Sequence, residues 1–212
     1  MPRLQTPLEE RWNTWSHAFG ILVYVGVLIF CLSAKGDFPD SFPVWPLGVY
    51  LFSQLFLYVS STTYHAVKGE RVKAFWRKLD HISIYFSIAG TYTPACVILL
   101  DSERGDLILL AVWTVALLGS VWKVFFTGRY TRLSSLLYML MGWMVILDLD
   151  GLLQKFDSTN LYLLVGGGAF FTLGIAFYTW NRLKFNHVVW HFFVLAGSIT
   201  HLILTLRIYG LT

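Results

Sequence analysis

Charge is what this 212-residue sequence has least of: Asp, Glu, Lys and Arg together make 13% of it, where a soluble domain carries about 25%. With 56% of the residues hydrophobic and 17% aromatic, one soluble core cannot hide the apolar surface, so lipid must be the main solvent. Cysteine is scarce too. Cys31 and Cys96 permit one disulfide at most, and both fall in apolar runs, where buried free thiols are the ordinary reading. No segment is low in complexity, no internal repeat occurs, and no stretch remains for a separate soluble domain.

What is there is a series of apolar runs of spanning length, near 17–34, 44–66, 79–100, 106–126, 133–152, 160–180 and 187–209. Seven helices of about 20 residues nearly exhaust the chain. The expected fold class is therefore an all-α integral membrane protein, a single seven-helix transmembrane domain over 1–212. The first run reads as a span rather than a signal peptide, because Glu9 and Glu10 precede it and Leu32 stands where a cleavage site wants a small residue. Tryptophan, tyrosine and phenylalanine fit interfacial anchors and lipid-facing packing.

The net charge of +4 is not a nucleic-acid footprint, because the basic residues alternate between connections. Arg3, Arg11, Lys68, Arg71, Lys73, Arg77, Lys78, Lys123, Arg129, Arg132, Arg182 and Lys184 fall on one side, against Lys35, Arg104, Lys155 and Arg207 on the other. The positive-inside rule then predicts a cytoplasmic N-terminus and an external C-terminus. Lys123, near the inner end of helix 4, is expected to snorkel to the interface. Asp37, Asp40, Asp101, Asp106, Asp148, Asp150 and Asp157 fall in or near outer connections as solvated charges or helix caps.

Polar side chains converge at the inner end. The stretch "HVVWH" sets His187 and His191 four apart, hence on one helix face one turn from each other. His65 closes helix 2 in "SSTTYH" and Asp80 opens helix 3 in "LDHISIYF", so four candidate ligands from three helices share one membrane depth. An i,i+4 histidine pair plus a third imidazole from another helix matches a catalytic zinc with an open fourth position. Ionisable residues at membrane depth are functional candidates because lipid makes them costly. Ser61 shares the face of His65; it either places a hydroxyl at the site or, with Ser60, Thr62 and Thr63, satisfies carbonyls and packs between helices. His201 lies about 15 Å further along helix 7 than His191 and cannot share its ion, and His81 points to a different face from Asp80. Pro94 should kink helix 3, while Gly166, Gly167 and Gly168 permit close approach or a bend in helix 6.

Four stretches together resemble the hemolysin III family, the bacterial branch of the progestin and adipoQ receptor superfamily. They are "EERWNTWSH", with Glu10, Asn13, Ser16 and His17; "SSTTYH"; "DHISIYFSIAGTYTP"; and "NHVVWHFFVLAGSITH". The resemblance covers essentially the whole chain. It implies seven helices with an inward N-terminus, zinc held by His65, His187 and His191, Asp80 in contact with the water on the zinc rather than with the ion, and Ser61 at the family's serine position. It is similar in its metal site to alkaline ceramidases, which implies a zinc-dependent hydrolase of a lipid amide or ester, with a membrane lipid as substrate or ligand. A shared site does not guarantee a shared substrate. Two rivals stand beside that reading: a non-catalytic regulator of membrane homeostasis with structural zinc, and a pore-forming cytolysin. The pore lacks a polar stripe running the length of the helices.

Overall fold

Residues 5–34, 39 and 42–211 are described in a computed structural model. Arg3, Lys35, Asp37, Asp40 and Thr212, all used in reading charge and topology, lie outside the described residues. Helices account for nearly all of the fold, with no strand among those residues: α1 (Pro7–Ser33), α2 (Trp45–Ala66), α3 (Glu70–Pro94), α4 (Glu103–Phe126), α5 (Thr131–Gly142), α6 (Leu149–Lys155), α7 (Ser158–Thr179) and α8 (Asn186–Ile208).

Six segments are long and apolar enough to cross a membrane: α1, α3 with its extension to Leu100, α4, the α5–α6 segment, α7 and α8. Their outer faces show the lipid-facing pattern, with Leu22, Leu107, Phe125 and Tyr162 all exposed. The exception is α2, which has spanning length but carries Ser53, Gln54, Ser60, Ser61 and His65 on its buried face. It packs between α1 and α3, which shields those groups from lipid.

Three stretches depart from the hydropathy pattern. First, α1 starts at Pro7, well before the apolar run at 17, on a capping box: Thr6 Oγ1 accepts from the Glu9 N–H and the Glu9 carboxylate accepts from the Thr6 N–H, worth about 0.5–2 kcal/mol. Second, α3 starts at Glu70, so most of the charged stretch expected to be a connection is helix, and Val67–Gly69 alone joins it to α2. Hydropathy sees the part of a helix that lipid solvates; the amphipathic turns beyond it are invisible to that signal.

Third, the run at 133–152 is broken rather than continuous. After α5, a 3-10 turn over Met144–Asp148 leads into α6. The freed backbone groups go to one side chain: the Tyr92 hydroxyl donates to the Gly142 carbonyl at 2.8 Å and accepts from the Val145 N–H at 3.0 Å. Asp148 then caps α6 by accepting from the Gly151 N–H. Pro94 does perturb α3, which passes directly into a π-helical turn over Ala95–Leu100, the local remedy for a missing N–H.

The interior is polar for a membrane bundle. Tyr24, Tyr50 and Tyr58 are fully buried. The Tyr24 and Tyr50 hydroxyls meet at 2.9 Å, Tyr24 donates to the Ser198 carbonyl, and Tyr58 pairs with the Ser198 hydroxyl. Gly20 admits the Tyr58 ring, since a Cβ there would sit 2.3 Å from it. His201 spends its Nε2 on the Leu164 carbonyl of α7 at 3.1 Å, with its ring over Gly167. Cys31 and Cys96 are buried and free.

Candidate metal centre

Two helix ends build the site. His65 is in the last turn of α2, while His187 and His191 occupy the first two turns of α8. One ligand nitrogen from each lies within 4.8 Å of the others, and the Nε2 atoms of His65 and His187 are 3.3 Å apart. His65 and His191 are buried and His187 is half-buried. Among the described residues this is the group of histidine, cysteine or acidic side chains placed to hold a metal ion.

The outward ring nitrogens settle which way the rings face. His65 Nδ1 lies 2.6 Å from Glu10 Oε2; a carboxylate accepts only, so Nδ1 carries the proton and the Nε2 lone pair is left for the centre. His191 Nδ1 lies 3.2 Å from the Asn13 carbonyl oxygen and 3.2 Å from Ser16 Oγ. A carbonyl also only accepts, which orients His191 in the same way. A metal-bound histidine is ordinarily held through its other nitrogen by a carboxylate or a carbonyl. Here α1 supplies both partners, and three neutral imidazoles are the donor set that suits zinc.

Further supports come from the same helix. Lys73 Nζ donates to Glu10 Oε1 at 2.9 Å, tying α3 to the pair. Glu9 Oε1 accepts from the Phe185 N–H at 2.9 Å, where Phe185 has a left-handed φ of 60°; this fixes the start of α8 two residues before His187. His17, 3% exposed, stacks on His191 with ring centroids 3.6 Å apart and planes 14° from parallel. The E-x-x-N-x-x-S-H motif is thus a cradle for two of the histidines. Sequence pattern marks these residues but carries no sign of this role.

Ser61 is buried beside His65, and the Asp80 carboxyl has the Ser61 hydroxyl and the His65 ring as neighbours. Asp80 itself is not in the three-histidine group. His81 stands apart from it too; its carbonyl accepts from the Tyr138 hydroxyl at 3.0 Å. Lys123 does not snorkel. Its side chain is 1% exposed and Nζ donates to Ser134 Oγ of α5 at 2.6 Å. The expectation failed because the side chain turns inward to the Ser134 hydroxyl and the Tyr138 ring of α5 instead of reaching outward.

Long apolar helices with a buried histidine group at one end define a multi-pass integral membrane protein, and its relatives place it in the progestin and adipoQ receptor superfamily. Within it, the chain belongs to the haemolysin-III related family, whose model matches residues 5–202. It is 35% identical over 190 residues to the "Hemolysin-3 homolog" of Bacillus subtilis (strain 168), covering 90% of this chain and 89% of that one. "Hemolysin-3" of Bacillus cereus is likewise 35% identical, with 90% and 87% covered. The human "Monocyte to macrophage differentiation factor" is 23% identical over 202 residues, with 92% and 82% covered.

Proposed function

We propose that the chain is a zinc-dependent hydrolase of a membrane-lipid amide or ester, with seven spans, a cytoplasmic N-terminus and the metal centre near the cytoplasmic face. The observation that carries this reading is the pairing of His65 and His191 with acceptors at Nδ1, which leaves their Nε2 lone pairs free to serve one centre with His187.

The donor set fits zinc, held by His65, His187 and His191. When bound, zinc polarises a carbonyl and makes water more acidic. Asp80 takes the proton of the attacking water and returns it to the leaving nitrogen or oxygen as the C–N or C–O bond breaks, so that the products are a fatty acid and an amine or alcohol. Ser61 donates a hydrogen bond to the carbonyl oxygen as it gains charge. Glu10, Asn13 and Ser16 hold the two imidazoles so that little reorganisation is needed. The lipid arrives from the bilayer, its acyl chain entering between helices.

The test is purified protein incubated with a mixture of membrane lipids and read by mass spectrometry. Loss of one lipid class with matching release of fatty acid, abolished by His187→Ala, supports the reading. No lipid consumed by zinc-loaded protein would leave the centre a structural one in a non-catalytic regulator.

A further inference from the structure

A second set of charged groups lies beside the metal centre, contributed by α3 and α4, with neutral polar groups from α5. Lys123 is buried, with 1% of its surface exposed. Its contact partners are neutral: it donates to the Ser134 hydroxyl at 2.6 Å and lies over the face of Tyr138, 6.0 Å from the ring centroid. Among the described residues no carboxylate pairs with it, and an ammonium has three donors to satisfy. Arg77 of α3 reaches toward the same corner. Its guanidinium packs on Gly128 of the α4–α5 connection so closely that a Cβ there would lie 2.9 Å from Nη2. Arg77 makes no hydrogen bond or ion pair among the described residues, although Asp80 is an electrostatic neighbour. His81 is an electrostatic neighbour of both cations.

Polar groups in the walls of this corner are also unspent. Tyr85 is fully buried with a hydroxyl that has no partner among the described residues. Its ring end lies against Gly119, one turn before Lys123 on α4, and it meets the Tyr138 ring edge-on at 4.6 Å. A buried ammonium without a counter-charge is costly. Two cations with unused donors, a free hydroxyl and a left-handed glycine loop at a helix end therefore describe a receptor for an anion with several acceptor oxygens.

We propose that this corner binds the phosphate of an anionic membrane lipid, between Lys123 and Arg77. Phosphate supplies the multiple acceptors that an ammonium and a guanidinium together need. A corner built by helices of spanning length favours a headgroup whose acyl chains stay in lipid, the setting in which basic pockets between helices hold acidic headgroups. The site uses none of the three histidines and does not depend on the hydrolase reading.

The test uses the full-length protein in detergent, with phosphatidylglycerol or phosphatidylcholine titrated in and bound lipid counted by native mass spectrometry. Phosphatidylglycerol should bind in preference to phosphatidylcholine. Lys123→Met should weaken it by roughly tenfold to a hundredfold, the range for one lost hydrogen bond to a charged group. Arg77→Gln should weaken it similarly and carries the test if Lys123→Met does not give folded protein, judged by its thermal transition. Lys68→Met, at an exposed lysine, should change it by no more than about twofold, because exposed charge pairs contribute little. Unchanged phosphatidylglycerol affinity in folded variants at Lys123 and Arg77, or equal loss in Lys68→Met, overturns the site. A parallel titration with inorganic phosphate distinguishes the sources: Lys123-dependent phosphate binding without preference for phosphatidylglycerol would overturn the lipid assignment in favour of a free anion.

Discussion

Replacing Glu10 by alanine probes the metal centre without touching a ligand. Glu10 accepts from His65 Nδ1 at 2.6 Å and from Lys73 at 2.9 Å. Its loss leaves the His65 ring free to rotate or to change tautomer and removes the negative charge that makes Nε2 a better donor. Losing such a support ordinarily costs 10- to 100-fold in metal affinity, or about 1.4–2.7 kcal/mol at the usual tenfold conversion. Glu10 is 26% exposed, so water replaces part of the hydrogen bond and the effect should fall near the lower end. Lys73→Met separates the two contacts. The Lys73–Glu10 pair is partly solvated on both sides and contributes about 0.2–1 kcal/mol, so zinc affinity should fall by no more than about fivefold. Both are read by competitive zinc titration against a calibrated chelator. Wild-type zinc affinity in Glu10→Ala would refute the claim that α1 positions His65, and a larger loss in Lys73→Met than in Glu10→Ala would refute the ordering.

Three further outcomes are expected. Purified protein should carry about one zinc per chain; elemental analysis should show it lost in His187→Ala and His191→Ala and kept in His201→Ala, and zinc retained in the double variant would remove the assignment. Tyr92→Phe should lower stability by about 1–3 kcal/mol, since it strands the Val145 N–H and leaves the Gly142 carbonyl short of a donor; an unchanged thermal transition would show that another group already serves the break. A cysteine placed at Lys68 should be labelled from the cytoplasmic side, following the twelve-to-four division of basic residues, and labelling from outside would invert the proposed topology.

The histidine centre was legible because its signal is local and repeated. His187 and His191 share a face by helical period alone, and alternation of spans brings His65 to the same depth. Hydropathy located the apolar runs for an equally simple reason, the length of chain that lipid solvates. The supports were harder to read. Glu10, Asn13 and Ser16 precede the apolar run, and nothing in helical period says that an amphipathic N-terminal turn folds against two distant helices. The break after Gly142 leaves no mark in a run of Met, Val, Ile and Leu, because its partner is the hydroxyl of Tyr92, fifty residues earlier. Lys123 looked like an interfacial lysine for the same reason: its burial depends on α5.

The hydrolase reading meets its most direct test in Asp80→Asn, with zinc content and lipid turnover measured on the same preparation. The amide keeps the shape of the carboxyl beside Ser61 and His65 but cannot carry the proton. The prediction is zinc retained at about one per chain and hydrolysis reduced by roughly 10²- to 10⁴-fold, the loss typical of a missing general acid or base. Full turnover in zinc-loaded Asp80→Asn would contradict it.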